Sequence, residues 1–307
     1  MRNFSTDEII GQEVAKTYIK FYKSNPQKIP GLLIFHGPSG VGKWSMAERF
    51  SYEILCLHGN GCGHCESCKL FLTHSHPDYI QFPESIRIAI GDDKNPEEFT
   101  VRWLLSKRVS YIPHTSKYRI VLLPDASRLG DEAETALLKT LEEPPAHTKF
   151  IFIIDDLKKL KDTIQSRGIK IPFQYLSKSS IQEISGEKHI YYDEIFGGSL
   201  SPFMADSSFI KFAKDKISEQ IKDPFLLLKL ENWVRAYKQD HPEWEEDFSY
   251  LEFLEIVSTL LLFAYSKVEN SMKELEAIFE FKNDLHKSIA GLENFLISRL
   301  FHKLQHL

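Results

Sequence analysis

The chain has 307 residues, of which 42% are hydrophobic and 26% charged. That is enough for two or three domains with cores of their own, and it excludes a disordered or fibrous polypeptide. A formal charge of −5 excludes a free-standing basic nucleic-acid binder.

The first residues, Met1 to Glu8, are polar and acidic, unlike a signal peptide. The longest apolar run, Ile256 to Tyr265, carries Ser258 and Thr259 and is too short to cross a bilayer. A cytoplasmic chain with no membrane partner is the expectation. Gly31 to His36 is an apolar run that ends in Gly37-Pro38-Ser39-Gly40-Val41-Gly42-Lys43. It reads as a buried strand, a glycine-rich turn and a helix from about Trp44 to Leu55. Such a loop offers backbone N–H groups and a helix N-terminus to phosphate oxygens, with Lys43 as the counter-charge. A hydroxyl should follow the lysine to hold Mg²⁺, but Trp44 stands there. Ser45 lies one position on, about 100° round the helix, and is no simple replacement.

All four cysteines fall in one segment, as Cys56, Cys62, Cys65 and Cys68. A disulfide framework would spread them through the fold, whereas two Cys-x-x-Cys steps beside an upstream cysteine suit a closed tetrahedral Zn²⁺ site. An iron–sulfur cluster and a redox pair are the alternatives, and His58 or His64 could replace one sulfur. A zinc ion here would be structural, since no ligand position is left open.

Further apolar runs follow at Tyr79 to Phe82, Arg119 to Leu123 and Lys149 to Ile154, separated by helical stretches. Near-continuous apolar strands in alternation with helices predict an α/β parallel sheet over 1–172. The third strand closes Leu123-Pro124-Asp125, where a metal-holding acid followed by a water-positioning one is the usual arrangement. Proline occupies the first place, so only Asp125 is left. Ala133, Ala136, Leu137, Thr140 and Leu141 mark a helix from about Asp131 to Glu143, stopped by Pro144-Pro145. Beyond Phe173 the strand signal fades into a small linking unit, 173–204, and amphipathic helices over 205–307.

Ala136-Leu137-Leu138-Lys139-Thr140-Leu141-Glu142-Glu143-Pro144-Pro145, followed by Thr163-Ile164-Gln165-Ser166-Arg167, strongly resembles the clamp-loader branch of AAA+ proteins. Ile9-Ile10-Gly11-Gln12 is similar to that family's adenine-side segment, and the cysteine segment to its zinc insertion. The resemblance covers 1–172 well and the remainder in outline. It implies an AAA+ P-loop domain with a zinc module at 56–68, a small lid (173–204) and a helical collar (205–307) that joins a five-membered ring. The ring's other subunits (gamma/tau and delta) would be partners, with the sliding clamp and primer–template DNA reached through the complex. Ser166-Arg167 matches the family's Ser-Arg-Cys motif, whose arginine enters the neighbouring subunit's ATP site. Such a finger is typically worth ~10³–10⁵ in rate; the plain alternative is a local salt bridge.

Gly168 replaces the motif's cysteine. Asp155 takes a place where the family often has a Thr or Asn that senses the γ-phosphate, and an acid there repels phosphate. With both Mg²⁺ contacts gone, the expectation is a chain without ATPase activity of its own, inside a DNA polymerase assembly. The surviving Gly37, Gly40, Gly42 and Lys43 keep nucleotide binding open. The alternative is an ATP-hydrolysing motor subunit of the same family that recruits Mg²⁺ through Asp125 and Ser45.

Overall fold

The computed structural model describes residues 5–84, 86–185 and 271–285, with individual positions between 229 and 304. The chain divides into two compact units, Met1–Ser180 and Ile181–Leu307.

The first unit is built on five parallel strands: β1 (Leu32–His36), β2 (Tyr79–Gln81), β3 (Arg119–Leu123), β4 (Thr148–Ile154) and β5 (Ile169–Pro172), in the order β2-β3-β4-β1-β5. Leu33 pairs with Ile151 and Ile169, and Val121 with Phe150. Because side chains alternate across a strand, each central strand feeds two cores. Leu33, Phe35, Ile120, Leu122, Ile151 and Ile153 turn to one face, which α1 (Glu13–Ser24), α2 (Lys43–Leu55) and α3 (Glu66–Leu72) cover. Leu32, Ile34, Val121, Leu123, Phe150 and Phe152 turn to the other, under α4 (Val101–Trp103), α5 (Asp131–Glu142) and α6 (Asp162–Gln165). Every residue of β3 and β4 is buried, so the continuous apolar runs have a physical cause in two covered faces. This is the α/β, P-loop parallel-sheet class expected from the sequence.

The strand absent from the sequence reading is β5. It lies at the sheet edge with Ile169 and Lys170 exposed and ends in Pro172, so it lacks the signature of a buried strand. It nevertheless pairs with β1 and delivers Phe173 beside the glycine loop, where the Phe173 N–H donates to the His36 carbonyl at 2.7 Å.

A helix, α7 (Lys178–Ser185), follows the sheet. Most of the expected lid (173–204) and collar (205–307) lie outside the described residues. In the second unit the helix Met272–Leu285 buries Ala277, Ile278, Phe281 and Leu285 at helical spacing. Among the described residues, no helix is long and apolar enough to cross a membrane.

Candidate phosphate loop, cysteine cluster and arginine site

The glycine loop runs from the end of β1 into α2. Gly37, Gly40 and Gly42 have φ of 138°, 69° and 96°, the left-handed region that favours glycine. At Gly37 the constraint is also spatial, since a Cβ would lie 2.1 Å from the Phe173 carbonyl oxygen. The loop therefore has the shape its sequence implies. Its lysine is engaged internally. Lys43 Nζ donates to the carbonyl oxygens of Gly37 at 2.6 Å and Pro38 at 2.5 Å, and to Asp155 Oδ1 at 2.7 Å. The Lys43 side chain is only 5% exposed. Burial pulls its ammonium below the ordinary lysine range, and the Asp155 carboxylate pushes back upward.

Trp44, in the place of the expected hydroxyl, is 40% exposed. Asp125 makes local hydrogen bonds and lies near enough to Lys43 to raise the lysine's pKa. Its Oδ1 accepts from Ser127 N at 3.0 Å and Ser127 Oγ at 2.6 Å, and its Oδ2 from Arg128 Nε at 3.3 Å. It caps the short turn Ala126–Arg128. Gln12, in the adenine-side segment, donates to the carbonyls of Val41 (3.1 Å) and Gln174 (2.6 Å) and accepts from Gln174 N at 3.0 Å. It thus ties the glycine loop to the segment after β5.

The cysteine segment bridges the end of α2 and α3. Cys56, His58, Cys62 and Cys65 bring four ligand atoms within 4.8 Å of one another, a group that can hold a metal ion. All four cysteines are free thiols. Cys56 and Cys65 Sγ are 3.9 Å apart, against the roughly 3.8 Å that two sulfurs span in a tetrahedron with Zn–S of about 2.3 Å. The donor set therefore fits zinc. Cys68, buried to 1% exposure, joins the cluster from α3, in contact with the thiols of Cys65 and Cys56 and the hydroxyl of Tyr52. Burial raises the Cys56 thiol, but the N–H groups of Cys62, Asn60 and His58 and the Cys68 thiol outweigh it, bringing it down to about 5. That favours the thiolate a metal requires. His58 is exposed, with Nδ1 3.4 Å from Cys62 Sγ; His64 turns its Nδ1 to the Cys62 carbonyl at 2.9 Å.

Behind this module lies a buried polar knot that sequence patterns do not reveal. Ser67 and Ser116 hydroxyls both donate to the Leu55 carbonyl, at 2.6 and 2.7 Å, and both face His76 Nε2, at 2.8 and 3.1 Å. Asp78, fully buried, accepts the N–H groups of His114, Thr115 and Ser116 at 2.6–2.9 Å. These bonds fix the cysteine module to the sheet.

Ser166 and Arg167 follow α6. Ser166 Oγ donates to the Thr163 carbonyl at 3.0 Å. The Arg167 guanidinium donates through Nη1 to the Thr163 carbonyl and through Nη2 to Glu142 Oε1 at the end of α5. The local salt bridge is therefore formed in this chain.

A parallel sheet of this order, with a glycine loop after β1, defines a P-loop module of the AAA+ class. Residues 12–177, more than half of the chain, match the family described as DNA polymerase III, delta subunit. The chain belongs to that family. Among curated relatives it is 30% identical over 180 residues to DNA polymerase III subunit tau/gamma of Haemophilus influenzae, covering 57% of this chain and 25% of that one. It is 31% identical over 186 residues to DNA polymerase III subunit gamma/tau of Mycobacterium tuberculosis, covering 60% of this chain and 31% of the relative. The chain thus spans between a quarter and a third of these relatives' length. A gamma-subunit-related protein of DNA polymerase III from Thermotoga maritima superposes with a TM-score of 0.52 at 14% identity, covering 94% of this chain and 98% of that one, a likeness of fold.

Proposed function

We propose that this chain is a delta-prime-like subunit of a bacterial DNA polymerase III clamp loader, a stator that does not hydrolyse ATP and lends Arg167 to a neighbouring subunit. The observation that carries the reading is the state of the phosphate loop. Lys43 is spent on two loop carbonyls and Asp155, Trp44 replaces the Mg²⁺-holding hydroxyl, and Pro124 stands in the place of an acid. Phosphoryl transfer depends almost wholly on positioning and metal electrostatics, and a loop without those contacts does neither.

In this reading residues 1–172 are the AAA+ domain and residues 173–204 and 205–307 supply lid and collar. Gamma/tau and delta subunits would complete a five-membered ring that places a sliding clamp on primed DNA. A structural zinc is held by Cys56, Cys62, Cys65 and Cys68, with His58 as the competing fourth donor. It organises the module and leaves no position for substrate. Arg167 would exchange Glu142 for the phosphates bound next door.

The rival reading is an ATP-hydrolysing gamma/tau-like motor, favoured by the identity of about 30% to subunits of that name. Two measurements separate them. The isolated chain should show negligible Mg²⁺-dependent ATPase, where a motor would turn over steadily. In the reconstituted loader, Arg167→Ala should lower clamp-stimulated ATPase at least tenfold; an unchanged rate removes the finger role.

A further inference from the structure

The ordinary ligand of a glycine loop is a nucleotide phosphate, and the loop's lysine is normally the group left free to meet it. Here the lysine has no proton to spare. An ammonium carries three N–H donors, and Lys43 meets three oxygens at 2.5–2.7 Å. Two belong to the loop itself. The third is a carboxylate 112 residues away in sequence. The sheet brings it there: β4 runs parallel beside β1 with Ile154 opposite His36, and the Gly37 N–H donates to the Ile154 carbonyl at 3.3 Å. Asp155, the next residue after β4, therefore emerges beside the mouth of the loop. Its side chain is 54% exposed, whereas that of Lys43 is 5% exposed.

We propose that Asp155 is the residue that excludes nucleotide from this loop, acting as a built-in anion that takes the position and the counter-charge a phosphate group would use. This deepens the stator reading and concerns the same site. An incoming polyphosphate meets a double obstacle. It must break a short, charge-assisted bond to Lys43, and its oxygens must then lie within bonding distance of the displaced carboxylate. Two anions at such spacing, partly shielded from water, repel strongly. The loop is also held in shape without ligand, because the ion pair closes it from within. Such a subunit keeps one conformation through a partner's nucleotide cycle.

The chemistry predicts a gain of function. Asp155→Asn keeps the size and removes the charge, and Asp155→Thr supplies a neutral hydroxyl. The test is calorimetric titration of the full-length chain with ATP and with inorganic pyrophosphate, in EDTA so that the missing Mg²⁺ contacts do not enter. Both variants should bind at least tenfold more tightly than the parent, and Lys43→Met added to either should abolish the gain. Thermal unfolding of each variant confirms that it is folded. Parent chain that binds ATP as tightly as the variants would overturn the proposal, and so would folded variants that gain nothing. Neither result touches the stator reading, which fails instead on Mg²⁺-dependent turnover by the parent chain.

Discussion

Arg167 reaches back to Glu142, a residue 25 positions earlier in the chain, and its guanidinium rests on that carboxylate while also donating to the Thr163 carbonyl. The pair joins the end of α5 to the second residue after α6, the two segments that carry the clamp-loader resemblance. The side chains of Arg167 and Glu142 are 25% and 51% exposed. Ion pairs this open to solvent contribute about 0–1 kcal/mol. The guanidinium can therefore leave Glu142 for a stronger anion at little cost. Glu142→Ala should change the stability of the isolated chain by less than about 1 kcal/mol in urea unfolding. In a reconstituted loader the same variant should retain ATPase, whereas Arg167→Ala loses it. A loss for both would make Glu142 part of the finger's positioning.

Metal content tests the cysteine cluster. Protein purified without chelator should carry one zinc per chain, and removing it should lower the melting temperature, because an ion held there would tie the end of α2 to α3. The informative pair is Cys68→Ser against His58→Ala. Cys68 is buried and shares the sulfur cluster, while His58 sits exposed on the loop. Structural zinc favours a closed set of ligands shielded by the fold. Cys68→Ser should therefore lose most of its zinc and His58→Ala should keep it, measured by metal analysis and by the thiolate-to-Co²⁺ absorption of the cobalt-substituted protein. The reverse outcome would assign the fourth position to the imidazole.

Much of this architecture was legible because the physics behind it is local. β1, β3 and β4 read as unbroken apolar runs since both faces of the sheet are covered, and the three loop glycines declare themselves through their spacing. What was illegible is set by tertiary adjacency. Lys43 and Asp155 meet only because β4 lies beside β1, so the sequence shows an unusual acid without its partner. Glu142 and Arg167 meet only through the packing of α5 near α6. β5 was missed since an exposed edge carrying Lys170 and Pro172 lacks the pattern of a central strand. The cysteine spacing pointed to a cluster of ligand atoms, which the fold does bring together, but spacing alone does not decide between Cys68 and His58.

Gly168, which follows Arg167, illustrates a position where packing restricts the residue. A Cβ there would lie 2.7 Å from Ile34 Cδ1 and 2.9 Å from Leu32 Cγ. Both neighbours are buried on β1, Leu32 at 1% and Ile34 at 0% exposure. Overfilling a packed core in this way typically costs about 1–3 kcal/mol. Gly168→Ala should destabilise the first unit by that amount in denaturant unfolding, and Gly168→Cys, which restores the motif's more common residue, should cost more. A neutral Gly168→Cys would mean that β1 shifts readily and that the glycine is not a packing requirement.

His76 makes the stability of the cysteine module depend on pH. Its Nδ1 accepts the Asp78 N–H at 3.0 Å, which assigns the proton of the neutral ring to Nε2, facing Ser67 and Ser116. Those hydroxyls spend their own protons on the Leu55 carbonyl, so the network is satisfied with the ring uncharged. Burial depresses the His76 pKa below the ordinary 6.5, opposed by the charge of Asp78. A second proton on Nδ1 would point at the Asp78 N–H and break that bond. The unfolded chain accepts a proton below about 6.5 that the folded ring refuses. The contribution to stability is thus complete above that pH and falls as pH drops toward the folded value, by at most about 1.4 kcal/mol per pH unit. Urea unfolding at pH 7.5 and pH 5.5 should show the parent well ahead of His76→Gln at the higher pH, with the gap narrowed at the lower. A gap that stays constant would mean that folding leaves the His76 pKa unchanged, and a gap that widens at the lower pH would mean that the folded ring holds the second proton and that the bond from Asp78 N is misassigned.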